Sequence, residues 1–321
     1  MVSQWLAVGL ALLAALCLAV GTQKQGSAVA DRAHGRLRFR ALPVLLRSPR
    51  WLLGLALLGL GTVLNIAALG LATVTVVQPI GVVALVITAL LHARHRKLRL
   101  NRRTWTSIVL CTVGGAVFVT SAVVATDPAQ RISQWAERTV VVMLVVLVCV
   151  LTVAAVLFRR GLTSTFYVVG AGMLYGFVAV LVRLVLTRIQ GSPGGPLDDV
   201  SWVAVTAAAA AAVLGGWFVQ NAFAGGPPDL VIAGLTVLDP MVGVLLGLLV
   251  LGEAGPGFSV LSGVLMTAAG AIAIVGVAVL SQHHPEVLAR RAALAGRDGA
   301  APGHPPAAHD RAAHDRPGSH A

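Results

Sequence analysis

The chain has 321 residues, of which 57% are hydrophobic and only 11% charged, with 24 lysines and arginines against 12 acidic residues. A mean hydropathy of +0.86 excludes an ordinary soluble domain and names the lipid bilayer as the solvent. The net charge of +12 is placed on short segments between apolar runs, where it orients helices in a membrane rather than binding nucleic acid.

Apolar runs long enough to cross hydrocarbon, roughly 20 residues each, recur near 4–22, 51–72, 74–91, 105–125, 139–157, 166–187, 202–222, 230–251 and 258–280. They are apolar on every face, unlike the alternating segments of about ten residues that build a barrel. An all-α integral membrane protein of about nine transmembrane helices is expected. Cys17, Cys111 and Cys149 lie within these runs and far apart, which reads as packing rather than disulfide or metal chemistry.

The first run is followed by Lys24, Arg32, Arg36, Arg38, Arg40, Arg47 and Arg50; residues 31–50 also interleave Leu37, Phe39, Leu42, Leu45 and Leu46, a pattern suited to anionic headgroups. The third is followed by Arg94, Arg96, Lys97, Arg99, Arg102 and Arg103. With Arg159, Arg160 and the arginines of the tail, twenty basic residues fall on one face; Arg131, Arg138 and Arg188 fall on the other. The basic face is expected to be cytoplasmic, with the N-terminus outside, the C-terminus inside and Asp198–Asp199 outside. Ala28-Val29-Ala30 also resembles a leader cleavage site, and cleavage there would leave eight helices. Because Lys24 stands between the apolar run and that site, an uncleaved first span is the preferred reading.

At an offset of 156 residues Asn65 aligns with Asn221, Gly70 with Gly226, Val86 with Val242 and Gly114 with Gly270, which superimposes spans two to four on spans seven to nine. Five spans precede the second copy, so the two copies would enter the membrane from opposite faces. Such an inverted repeat is common among secondary transporters. The expected division is a first repeat over 1–160, a second over 161–281 and a tail over 282–321. That tail is rich in Ala and Pro and carries His283, His284, His304, His309, His314 and His320, with disorder as the default reading.

The segment Leu238-Asp239-Pro240-Met241-Val242-Gly243, followed by Leu251-Gly252-Glu253, resembles the EamA-type domains of the drug/metabolite transporter superfamily. Pro49-Arg50-Trp51 with Gly54, Asn65-Ile66-Ala67-Ala68, Ala72-Thr73-Val74 and Gln78-Pro79-Ile80-Gly81 resemble the NIPA-type magnesium transporters of that superfamily. Where the NIPA pattern places a glutamate, this chain reads Gly61-Thr62-Val63-Leu64-Asn65. The resemblance implies a permease with a plan of nine to ten helices. The substrate stays open between a divalent cation such as Mg2+ and a small organic metabolite or drug.

Ionisable groups in hydrocarbon cost roughly 2.5–3.5 kcal/mol on insertion scales, so they face a cavity or a partner. Asp239, nine residues into its span, is the leading substrate-binding candidate, and Pro240 directly after it would interrupt the helix and free carbonyl oxygens. Gln78-Pro79 would interrupt span three in the same way. Arg183 would either snorkel to the outer headgroups or pair with Asp239 or an anionic solute. Asn65, Asn221, Gln78, Gln220 and Tyr175 supply neutral donors and acceptors, which also serve as interhelical contacts worth about 0.6 kcal/mol each. Gly225-Gly226-Pro227-Pro228 reads as a tight turn with Asp229 capping the next helix, and Glu253 as a solvated helix terminus.

No phosphate-cradling loop and no catalytic constellation occurs inside the spans, so neither a pump nor an enzyme is expected, and no cofactor is called for. The expectation is a gradient-driven permease working by alternating access at a midplane site, in the plasma membrane of a bacterium with arginine-rich usage. Its partners are the bilayer and a small solute or ion, with no nucleic acid, and a homodimer is compatible with such a bundle. The alternative is a membrane partner or regulator that moves nothing.

Overall fold

A lipid-embedded backbone must satisfy its own hydrogen bonds, and helices do so within one segment. The computed structural model of the chain describes residues 2–31, 45–71, 101–125, 134–158, 162–191, 200–255, 258–283 and 288. Within them lie eight helices: α1 (Val2–Ala30), α2 (Pro49–Leu71), α3 (Arg102–Ala125), α4 (Gln134–Leu157), α5 (Ser164–Gly191), α6 (Trp202–Gly225), α7 (Pro228–Leu249) and α8 (Val260–His283).

Helices α3 to α8 are each long and apolar enough to cross a membrane, and coincide with the last six expected spans; a shorter apolar stretch, Pro49–Leu64, opens α2. The expected third span, with Gln78 and Pro79, lies outside the described residues, as does nearly all of the tail. Helix α1, where the first span was expected, is longer than that apolar run. It continues through Thr22, Gln23, Lys24 and Gln25 to Ala30, where the sequence had pointed to an end near 22. Small residues on α1 allow this, because Ala28 and Val29 are fully packed and hold the polar turn against its neighbours.

Helix α5 is the hub, packed on α6, α7 and α4. Its Val168, Ala171, Leu174 and Leu181 are inaccessible and share one core with Ala204, Ala211 and Ala222 of α6 and Val231 of α7. A second core joins Ile108 and Cys111 of α3 to Val237 of α7 and Ala273, Val277 and Leu280 of α8. Outward faces carry the opposite character: Val145, Val146, Val150 and Val153 of α4 and Leu261, Val264 and Leu265 of α8 are exposed, as lipid-facing side chains would be.

Lipid gives apolar side chains no reason to prefer one another, so close contact of small residues drives association. Helices α1 and α2 cross antiparallel at Gly21 and Gly54, where a methyl group on either glycine would stand 2.8–2.9 Å from the other's carbonyl oxygen. Helices α3 and α8 cross at Gly114 and Gly276; a methyl at Gly276 would meet the Cys111 nitrogen at 2.8 Å and the Ser107 oxygen at 2.9 Å. On α5, Gly172 and Gly176 let α7 approach at Leu238 and Val242.

Two expectations about α7 are corrected. The helix begins at Pro228 with Pro227 in the cap position, so Asp229 falls inside the first turn rather than capping it. Pro suits the first helical position because its missing donor would be unused there. The helix also runs unbroken through Pro240, so the expected interruption shrinks to one lost backbone bond, that of the Thr236 carbonyl.

Because the atoms facing Gly276 are backbone, they cannot swing aside. Gly276→Val is expected to lower stability by about 1–3 kcal/mol. Gly59→Ala, where no atom lies within 4 Å of the added carbon, is expected to be neutral or slightly stabilising. Thermal unfolding of the two variants in one detergent checks the contrast.

Candidate functional site: a cavity and an ion-pair clasp at opposite ends of the bundle

One end of the bundle carries Arg50, Arg102 and Arg103; the other carries Glu137 and Glu253. A cavity of about 590 Å³ opens in the basic half, between α1, α2 and α6, with Val231, Ile232 and Leu235 of α7 along one side. Helical periodicity assembles its wall. Thr22 and Gln25 are three apart on α1; Trp51, Leu55 and Leu58 follow a four-three spacing on α2; Val213, Gly216, Trp217 and Gln220 share one face of α6. Among the described residues, none that is charged lines it.

Its polar atoms are joined. The indole Nε1 of Trp51 donates to Gln220 Oε1 at 3.1 Å, and Gln220 Nε2 donates to Gln25 Oε1 at 3.3 Å, linking three helices. Gln25 is only 2% exposed. Tyr175 of α5 also borders the cavity, its ring packed against Gly215, where an added methyl would sit tightly at 3.3 Å, and its hydroxyl near Gly216.

Asp239 stands midway along α7, half-buried, within electrostatic range of the Tyr175 phenol. Gly176 allows this approach, since a methyl there would lie 2.9 Å from the Asp239 carbonyl oxygen. Among the described residues the Asp239 carboxylate makes no hydrogen bond and no ion pair.

The opposite end is clasped by two ion pairs on α5. Arg183 meets Glu253 at 3.0 Å, and Arg188 meets Glu137 at 2.5 Å. Glu137 also accepts from the hydroxyl of Ser201, which itself caps α6 by accepting from the Ala204 N–H. Gly252, at φ +71, turns the chain so that Glu253 folds back on α7, its N–H donating to the Gly247 carbonyl at 3.1 Å. A methyl at Gly247 would stand 2.7 Å from Glu253 Oε2, so a larger residue there would have to displace the carboxylate from its place beside Arg183. Burial pushes the Glu253 carboxyl above its ordinary value, and the Arg183 guanidinium pulls it partly back.

Of the residues singled out in the sequence, Tyr175 and Asp239 are thus brought together. Arg183 is not: its partner is Glu253, two helical turns from Tyr175, in place of Asp239 or the headgroups. Asn221 is buried and donates to the Trp217 carbonyl of its own helix at 3.0 Å, and it does not line the cavity. Asn65 belongs to α2, with only its backbone described, while Gln78 and Pro79 fall outside the described residues. Glu253, read as solvated, is 4% exposed. Gln25 escaped notice because its helix was expected to end a turn earlier; its three-residue spacing from Thr22 was the available signal. Among the described residues no group of three or more His, Cys, Asp or Glu is placed to hold a metal.

Lipid-facing apolar helices around an internal cavity, with one half-buried carboxylate in electrostatic range of a tyrosine on its wall, are the build of a polytopic membrane transporter. The model of the family described as "Magnesium transporter NIPA" matches residues 4–191, more than half of the chain, and the chain belongs to that family. The match covers α1 to α5 and stops short of Gln220 and Asp239. No curated protein and no solved structure matches the chain.

Removing Arg183 alone strands a buried carboxylate. Breaking a fully buried pair this way costs about 3–5 kcal/mol; with the Arg183 side chain 38% exposed, about 1–3 kcal/mol is expected for Arg183→Leu, and less for Glu253→Gln. A carboxyl whose folded value is raised contributes its stability below the unfolded value of about 4.3 and loses it as pH rises through the folded value. Arg183→Leu raises that folded value further, so its deficit should shrink as pH falls from about 7 towards 5. Unfolding curves at both pH values test this, and a pH-independent deficit would remove Glu253 as the cause.

Proposed function

We propose that this protein is a secondary transporter of a divalent cation, Mg2+ in the first place, working by alternating access. The observation that carries the reading is the Asp239 carboxylate, without a hydrogen bond or ion pair among the described residues, in electrostatic range of Tyr175 on the wall of a cavity in the basic half, while paired charges hold the opposite end of the bundle. Family membership supports the substrate. A carboxylate held halfway along a membrane helix without a counter-charge is a costly arrangement, and a cation offsets that cost.

The asymmetry of lysine and arginine supports a cytoplasmic basic end, with the N-terminus outside and the tail inside. On that reading the cavity faces the cytoplasm and the Arg183–Glu253 and Arg188–Glu137 pairs form the outer seal. The plasma membrane of a bacterium is the proposed location. Helices α3 and α8, related by the 156-residue offset, pack directly on one another at Gly114 and Ala269–Ala273. Such contact supports an inverted repeat of 1–160 and 161–281 about an axis between them, and rocking about it would open the sealed end. Drive would come from a gradient, with Asp239 able to exchange a proton for the cation.

A second reading, transport of a small organic solute, is favoured by the cavity wall, whose described residues carry no charge.

Proteoliposomes holding the full chain and a lumenal magnesium indicator test the first reading. Mg2+ entry down its gradient is expected, falling about tenfold or more in Asp239→Asn, which corresponds to roughly 1.4 kcal/mol of lost cation stabilisation. Unchanged flux in that variant would dismiss Asp239, and absence of flux in the parent protein would dismiss the cation.

A further inference from the structure

The cavity carries chemistry of its own that the cation reading leaves unused. We propose that it is a recognition site for an uncharged organic solute, an apolar body of drug-like size bearing a hydrogen-bond acceptor such as a carbonyl, which the Gln25 amide nitrogen receives.

The orientation of the amides decides the class. Oxygen and nitrogen of a glutamine are distinguished only by their network, and here one member admits a single role. An indole N–H donates and never accepts, so Gln220 must turn Oε1 to Trp51. Its Nε2 then faces Gln25, which must answer with Oε1. The Gln25 amide nitrogen is left over. It makes no hydrogen bond among the described residues, although the side chain is 2% exposed and borders the cavity.

The residue is almost wholly buried and what it exposes borders the cavity, so a donor left there without an acceptor is costly, and a solute carbonyl would satisfy it. Mg2+ is held by oxygen ligands in near-octahedral geometry, whereas both carboxamide oxygens here already accept an N–H and no carboxylate among the described residues lines the wall. Leu55, Leu58, Val213 and Phe223 supply the apolar surface, and about 590 Å³ falls within the range of small-molecule sites. The inference stands on the cavity alone and does not require Mg2+ transport.

The test uses the full chain in lipid nanodiscs with two probes of nearly equal shape, benzophenone and diphenylmethane, which differ by a carbonyl in place of a methylene. Benzophenone is expected to photolabel peptides of α1, α2 or α6, and to bind about five- to tenfold more tightly than the hydrocarbon, as one hydrogen bond predicts. Gln25→Leu should abolish that preference while leaving diphenylmethane binding intact. Trp51→Phe, which keeps the aromatic bulk but releases the amides to flip, should weaken it; this variant also serves if Gln25→Leu does not fold.

Equal binding of the probes to the parent protein, or a preference that survives both variants, overturns the proposal. Labelling seen in ether-lipid nanodiscs but suppressed in ester-lipid ones would assign the acceptor to a bilayer ester and overturn a free solute. Mg2+ flux, measured separately, tells the two proposals apart: flux without carbonyl preference sinks only the solute site, and preference without flux sinks only the cation reading.

Discussion

Inside hydrocarbon there is no water to complete a hydrogen bond, and every polar group must find its partner in the protein. The backbone meets that constraint by coiling into helices. Side chains meet it by pairing across them: Trp51 with Gln220 and Gln25, and Asn221 with its own helix. Several groups do not meet it among the described residues, such as the buried Oγ1 atoms of Thr104 and Thr112. The Gln25 amide nitrogen on the cavity wall and the Asp239 carboxylate near Tyr175 also lack a partner among the described residues.

Pairing across helices requires the helices to be close, and lipid does not press them together. Glycine does the work that the hydrophobic effect does in water, by letting backbones touch. The crossing at Gly21 and Gly54 brings α1 against α2 and carries Gln25 towards Trp51. The approach at Gly172 and Gly176 seats α7 beside α5 and brings Asp239 within electrostatic range of Tyr175. The same α5 ends in Arg183 and Arg188, so the helix that borders the cavity also anchors the clasp at the far end. A shift of α5 against α7 would be felt in both places, which is a mechanical route for linking closure at one end to opening at the other.

Membrane insertion, the six spans from α3 to α8 and the NIPA resemblance were all legible in the sequence, because hydropathy over a run of twenty residues is a local, additive property. Asp239 was legible as well, since a lone carboxylate in an apolar run is costly wherever its neighbours lie. Other residues resisted local reading. Glu253 looks like a solvated terminus until Gly252 folds it back on Gly247. Pro240 looks like a break, yet its helix runs on, since a proline inside a helix removes only one backbone bond and neighbouring packing holds the rest. The end of α1 looks like a loop because Gln23, Lys24 and Gln25 are polar, although the packing of Ala28 and Val29 keeps it helical.

What the sequence determined by itself was the solvent, the helical class, the family and the asymmetry of charge between the two faces, all of which follow from composition summed along one strand of chain. Only the tertiary structure decided partners: that Arg183 belongs to Glu253 and not to Asp239, that Tyr175 meets Asp239, and that Gln25 completes a relay begun at Trp51. The physical reason is that a partner is a matter of distance between helices far apart in sequence. In a membrane that distance is set by where two glycines let backbones meet, and hydropathy carries no record of it.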